Sequence, residues 1–223
     1  MTHLDSVVAG PFETNTWIVS EETADGHTLF IVDAGGSSAD LTALTDRLAT
    51  APCGFVLTHG HLDHLSLLPA LKQKYPDMPV YIHEDDALAL GPAGYDYHHQ
   101  TFENKGLIPW VVVTEQDTGV LPEPDGILHD GDVLPFAPAW KILHTPGHTR
   151  GCICLYNEAE HLLISGDTMF RGTCGRTDLP ASDSHDMKLS LQRLLQLPAD
   201  TRVYPGHGST TTIGEEIETY CFL

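Results

Sequence analysis

Residues 58–64 read Thr58-His59-Gly60-His61-Leu62-Asp63-His64, directly after the apolar run Phe55-Val56-Leu57. A short apolar run of this kind reads as a buried strand, and the polar cluster at its end must turn out of the sheet. His59 and His61 are two residues apart, so an extended backbone projects both to one side. Asp63 and His64 follow where the chain turns towards the next helix, which aims them at a second point beside the first. Imidazole nitrogen and carboxylate oxygen are donors that zinc accepts, and a catalytic zinc keeps one position open for water. A second ion about 3.5–4 Å away would share that water. A lone histidine carries no such implication. Three of them with a carboxylate in so short a stretch require a fold that brings more donors to the same strand end.

Further donors follow three other strand candidates. His144-Thr145-Pro146-Gly147-His148-Thr149 comes after 140–143, Ser165-Gly166-Asp167-Thr168 after 162–164, and Tyr204-Pro205-Gly206-His207-Gly208 ends the last strand. Each sets a histidine or aspartate beside a glycine, where the backbone can approach closely. The remaining β-type runs are 4–8, 16–19, 29–32, 80–82, 111–113, 133–136 and 152–156. Helical spacing of leucines marks 38–49, 65–75 and 186–197. Thr212-Ile213-Gly214-Glu215 has the spacing of a capping box and opens a short last helix. Residues 91–110 show no period and read as a long loop, with Tyr95, Tyr97, His98 and His99 as candidates for a substrate lid. Runs of strands that twice end in a helix fit sheets with helices packed outside them.

The 223 residues include 31 acidic and 11 basic side chains, a formal charge of −20. That field repels a phosphate backbone, so nucleic acid is not expected as a partner. No window reaches the 18 or so uninterrupted apolar residues of a membrane helix, and the N-terminus lacks a signal-peptide pattern, so a cytoplasmic protein with no membrane partner is expected. The odd number of cysteines, at 53, 152, 154, 174 and 221, is not a disulfide framework. Cys152 and Cys154 alternate along one apparent strand and are expected as core thiols on one face.

In this order, THGHLDH, HTPGHT, GDT and PGHG resemble the metallo-β-lactamase superfamily over nearly the whole chain. The resemblance implies an α+β fold, an αββα sandwich of two mixed sheets with outer helices, as a single domain over 1–223. It further implies that His59, His61 and His148 hold one metal ion, Asp63, His64 and His207 a second, and that Asp167 bridges the two, with Asp63, His64 and Asp167 catalytic. Asp33, after the strand 29–32, matches a family aspartate that supports the site, although a turn cap is an equal reading from sequence alone.

Three longer stretches, Gly10–Trp17, Asp167–Leu179 and Pro205–Ile213, resemble the single-domain glyoxalase II-like (hydroxyacylglutathione hydrolase-like) branch. What this implies is hydrolysis of a small-molecule thioester of the S-lactoylglutathione type by a water shared between two divalent ions, zinc first, with iron or manganese as alternatives. The helical C-terminal domain with which full-length relatives help to hold glutathione is not expected in the short stretch after His207. Arg171 and Arg176 are candidate binders of a substrate carboxylate, with Tyr97 above them. Both also read as loop-anchoring salt bridges, which is the preferred reading for Arg176 beside Asp178. The competing resemblances are a persulfide dioxygenase, with a single iron on His59, His148 and Asp167, and a lactonase or β-lactamase.

Overall fold

The computed structural model describes residues 1–23 and 26–220; Cys221 lies outside the described residues. The layers follow from apolar side chains that alternate along strands buried on both faces. The first sheet runs in chain order through β1 (Thr2–Ala9), β2 (Thr14–Thr23), β3 (Gly26–Val32), β4 (Phe55–Val56), β5 (Val80–His83) and β6 (Gly126–Leu128). The second comprises β7 (Val133–Leu134), β8 (Ala137–His144), β9 (Ile153–Asn157), β10 (Leu162–Gly166), β11 (Arg202–Pro205) and β12 (Thr211–Thr212), also in chain order. Both sheets are mixed. β3 to β6 pair in parallel in the first and β10 with β11 in the second, while the remaining pairs are antiparallel.

Trp17, Val19, Phe30 and Val32 meet Trp140, Ile142, Ile153, Leu155, Leu162 and Ile164 between the sheets. Their neighbours Ile18, Leu29 and Ile31 turn to the outer face of the first sheet. There they pack with α1 (Leu41–Thr45), α2 (Leu68–Lys74), α3 (Gly94–Phe102) and α4 (Ile108–Thr118). Leu143, Cys154, Leu163 and Val203 face the other way, onto α5 (Ser184–Leu194) and α6 (Ile213–Thr219). The result is the expected αββα sandwich. The indole of Trp140, fully buried, donates from Nε1 to Glu21 Oε1 at 2.7 Å, which satisfies a buried carboxylate inside the middle layer.

Several elements differ from the sequence expectation. Residues 91–110 are not a loop, and 111–113 is not a strand; α3 and α4 occupy this region. In α3 the buried positions Tyr95, His98 and Phe102 have helical spacing, hidden in the sequence because two of the three carry polar atoms. Pro109 sits in the first turn of α4, and the helix buries Val111 while Val113 stays 62% exposed, so one-sided packing outweighs the β preference of the valines. The expected helix 65–75 begins later, because Leu62–His64 form a single 3-10 turn first. The helix expected over 38–49 is a 3-10 turn, Ser38–Asp40, followed by the short α1. β6 was not anticipated. Only half of the capping box forms: the Thr212 hydroxyl accepts from Glu215 N, while the Glu215 side chain accepts from Thr211 Oγ1. Cys152 and Cys154 are both buried, and burial pushes both thiols up, Cys154 to about 11. No helix among the described residues is long and apolar enough to cross a membrane.

His98 is fully buried, its Nε2 donating to Ala89 O at 3.0 Å. Burial holds its pKa down at about 4, against 6.5 for a free imidazole. The unfolded chain therefore binds more protons than the folded one between these values. The stability this neutral ring contributes is complete above pH 6.5 and is lost as the pH falls from 6.5 towards 4. The urea midpoint is expected to drop across that window, and His98→Leu is expected to flatten the drop; an unchanged slope in the variant refutes the assignment.

Candidate metal centre

The C-terminal ends of β4, β8, β10 and β11 meet at one edge of the sandwich. After β4 the chain bends at Thr58 and His59, and the extended backbone of His61 opens the 3-10 turn that carries Asp63 and His64. His148 lies in the β8–β9 loop, Asp167 follows β10 and His207 follows β11. Three groups each bring one donor atom per residue within 4.8 Å: His59, His61 and His148; His59, His64 and Asp167; Asp63, His64 and His207. Asp167 lies between the sets, with Oδ2 3.4 Å from His148 Nε2 and 3.5 Å from His207 Nε2, and Oδ1 3.4 Å from His64 Nε2.

The rings are held from behind. His64 Nδ1 donates to Asp33 Oδ2 at 2.9 Å, His148 Nδ1 to Arg176 O at 2.8 Å, and His207 Nδ1 to Phe12 O at 2.9 Å. The Thr58 hydroxyl gives its proton to Asp33 Oδ2, so it accepts from His59 Nδ1 at 3.1 Å. In a neutral imidazole one nitrogen donates and the other keeps a lone pair. In the neutral form, all four residues thus present an Nε2 lone pair inward. His61 Nδ1 stands 2.8 Å from His148 Nε2, and His61 Nε2 is buried without a hydrogen-bond partner among the described residues. His64 Nε2 and His207 Nε2 stand 3.1 Å apart in the same way. His59 Nε2 and Asp167 Oδ1 are buried without a hydrogen-bond partner among the described residues. Lone pairs facing one another at these separations, with orphaned buried acceptors beside them, fit donors that share a cation.

Charge divides the centre. Burial, reinforced by the neighbouring imidazoles, holds His59 and His61 well below the ordinary value, so both are neutral donors. Burial also opposes charge on His64, but Asp167, Asp63 and Asp33 outweigh it and push the pKa up to about 10. His207 rises too, against burial, through Asp63 and Asp167. Asp63 is held far below the usual carboxylate range by His64 and His207, although burial alone would raise it. The carboxylates call for positive charge at the place where a cation would sit.

Asp33 serves the site and is no helix cap. Its carboxylate accepts from Thr58 N, Thr58 Oγ1 and His64 Nδ1 at 2.8, 2.8 and 2.9 Å. Its φ of 58° is unusual for a non-glycine residue, and these three bonds hold it there. Glycine is required where the loops touch. A Cβ on Gly175 would come within 2.1 Å of Asp167 O and 2.9 Å of His148 Nδ1, and one on Gly206 within 2.3 Å of Asp167 Oδ1.

Asp86 was not found from the sequence. It is 1% exposed and accepts from Gly60 N (2.8 Å), Thr149 Oγ1 (2.6 Å) and Gly151 N (3.0 Å). One carboxylate therefore ties the loop of His59 and His61 to the loop of His148. It hides among Glu84, Asp85 and Asp86, with no spacing that distinguishes it from its exposed neighbours. His144 ends β8 but faces elsewhere, donating from Nε2 to Arg150 O. Its ring stacks on His83 at 4.0 Å and 11°, and His83, Asp85 and His144 form a separate group of donors within 4.8 Å of one another.

A cleft of about 260 Å³ opens onto His61, Asp63, His148, Asp167 and His207. Arg176 lines it, but its guanidinium is bidentate to Asp178 (2.6 and 2.8 Å). Arg171, expected as a substrate contact, lies elsewhere, in a surface depression with Arg202 and Glu215. The tight turn closed by Phe170 and Thr173 points it away. Tyr97 does not line the cleft either. It sits about 140° around α3 from Phe102, which does. Phe12, Leu107, Trp110 and Leu179 complete the walls and were not anticipated; Leu107 and Trp110 come with α4, which the sequence reading missed.

Asp86→Asn keeps the size of the side chain but removes one of the two carboxylate acceptors that join the loops. Metal affinity is expected to fall by about 10–100-fold, with the circular dichroism spectrum preserved. A chelator competition series checks this, and unchanged affinity refutes the tie.

A sequence model of the metallo-β-lactamase superfamily matches residues 9–207. The chain is 32% identical over 216 residues to a probable metallo-hydrolase, YqgX, of Bacillus subtilis, covering 96% of this chain and 94% of that one. It is 32% identical over 201 residues to the hydroxyacylglutathione hydrolase GloC of Haemophilus influenzae, covering 86% of each. The crystal structure of TTHA1623 in a di-iron-bound form superposes with a TM-score of 0.78 at 34% identity, covering 98% of this chain and 100% of that one. The motifs, the four-layer sandwich and these matches agree: the chain belongs to the metallo-β-lactamase superfamily.

Proposed function

We propose that the protein is a hydrolase of thioesters that works with two divalent metal ions. His59, His61 and His148 would hold one ion, Asp63, His64 and His207 the other, with Asp167 between them. The observation that carries this reading is the convergence of five imidazoles and two carboxylates into overlapping donor groups, with Asp167 beside both His148 and His207. A donor set of imidazoles and carboxylates suits zinc, iron or manganese. The likeness to GloC of Haemophilus influenzae and the di-iron form of TTHA1623 support the branch and the pair of ions. Such ions supply Lewis acidity at a carbonyl and bring the pKa of water towards neutrality.

The chain contributes positioning. Asp33, the Arg176 carbonyl and the Phe12 carbonyl fix the rings of His64, His148 and His207, so that no reorientation is needed when charge develops. Water adds to the acyl carbon and the carbon–sulfur bond breaks, giving a carboxylate, a thiol and one proton. No serine or cysteine nucleophile is needed; Cys174 has its thiol pushed up by burial. A mononuclear iron reading uses only His59, His148 and Asp167. It leaves the inward lone pairs of His64 and His207 without a role, which favours two ions.

Metal quantification on protein purified without added metal is expected to give two ions per chain, together with hydrolysis of thioesters in a panel that also contains a lactone, nitrocefin and glutathione persulfide. Asp167→Ala is expected to lose the ion pair and hydrolysis together. One iron per chain with oxygen uptake on the persulfide, or thioesterase activity retained in Asp167→Ala, overturns the reading.

A further inference from the structure

The cleft floor is polar and its wall is aromatic. Phe102 lies against the His61 ring at 5.6 Å, Trp110 meets Phe102 edge-on at 5.8 Å, and Phe12 meets Trp110 edge-on at 4.7 Å. This chain of rings starts at the donor cluster and runs outward along one side, with Leu107 and Leu179 completing the surface. The rings come from the β1–β2 hairpin, α3 and α4, so the wall is assembled by the tertiary fold.

Charge on the wall is spare. Arg176 is the cation on the cleft lining among the described residues, and Asp178 already accepts two of its bonds. Lys105 is drawn to the same carboxylate at 3.0 Å and also donates to Asp178 O. The whole chain carries a formal −20. A substrate carboxylate laid along the rings would lose water and find only the guanidinium of Arg176, already shared with Asp178, which is costly. An apolar group there gains from its own burial and from edge and face contacts with the rings.

We propose that the part of the substrate next to the reacting carbonyl is an uncharged apolar group, aromatic or branched aliphatic, seated on Phe102, Trp110 and Phe12. Resting on the thioesterase reading, this makes the preferred substrates apolar acyl thioesters rather than conjugates of a thiol with several charges.

The test compares kcat/KM of the two-metal enzyme for S-phenylacetyl-N-acetylcysteamine, S-acetyl-N-acetylcysteamine and S-lactoylglutathione. The phenylacetyl thioester is expected to exceed the acetyl one by about tenfold or more, the discrimination an apolar pocket gives, and to exceed S-lactoylglutathione. Trp110→Ala is expected to bring the phenylacetyl-to-acetyl ratio close to one, mainly through KM. Leu107→Arg, which adds a cation to the wall, is expected to shift preference towards S-lactoylglutathione. A calorimetric titration with phenylacetamide, in the wild type and in Trp110→Ala, reads the wall without turnover; saturable binding lost in the variant is expected. Preference for S-lactoylglutathione that Trp110→Ala leaves unchanged overturns the inference and leaves the thioesterase reading standing. Phenylacetamide binding without hydrolysis of any thioester overturns that reading and leaves the apolar seat standing. Absence of both binding and phenylacetyl preference overturns the seat outright.

Discussion

Every inward lone pair of the donor cluster depends on a hydrogen bond on the far side of its ring or on the neighbour that such a bond positions. Asp33 takes the His64 proton, and the carbonyls of Arg176 and Phe12 take those of His148 and His207. Each acceptor lies on a different segment from the ring it holds, so the tautomers exist only once the chain is folded. The Phe12 carbonyl requires the first hairpin to reach the last strand. It does so through the Asn15 amide, which donates to Pro205 O and Gly208 O, and through Trp17 Nε1, which donates to Pro205 O. The two ends of the matched region are therefore joined by the same contacts that orient His207.

Two buried carboxylates bracket the cluster with different effects. Asp33 works within the first sheet, fixing Thr58 and His64 behind the strand-end turn. Asp86 works between the sheets, since Gly60 follows β4 while Thr149 and Gly151 precede β9. One sets ring direction, and the other sets the separation between His61 and His148. Neither opens into the cleft, and both occupy sites that an apolar residue of equal volume could fill only by stranding backbone or hydroxyl donors.

The cleft divides its tasks by element. Strand-end loops supply the polar floor, where short turns and close backbone contacts hold donors rigidly. α3, α4 and the first hairpin supply the apolar wall. Strand ends bring many segments to one edge, and the helices outside the sheet reach it at the wall, where Phe102 of α3 meets the His61 ring.

What the sequence determined by itself is the chemistry that residue type and local spacing carry. The H-x-H-x-D-H stretch and the glycine-flanked His148, Asp167 and His207 could be read as metal donors, and strand runs that end in helices as sheets with helices outside them, because these signals lie within a few residues; the αββα sandwich itself came from the family resemblance. Asp33 was visible only as one of two readings. What the tertiary structure alone decided is everything that depends on contacts distant in the chain. Asp86 meets partners 26, 63 and 65 residues away, which no periodicity records. The helices α3 and α4 hid behind polar histidines and a valine run, because one-sided burial, and not propensity, selects their conformation. The same burial turned Phe102 and Trp110 into a wall and moved Tyr97 away from it. Residue identity fixes which atoms can bind, but where a lone pair points is fixed by the acceptor behind it, and only the folded chain supplies that acceptor.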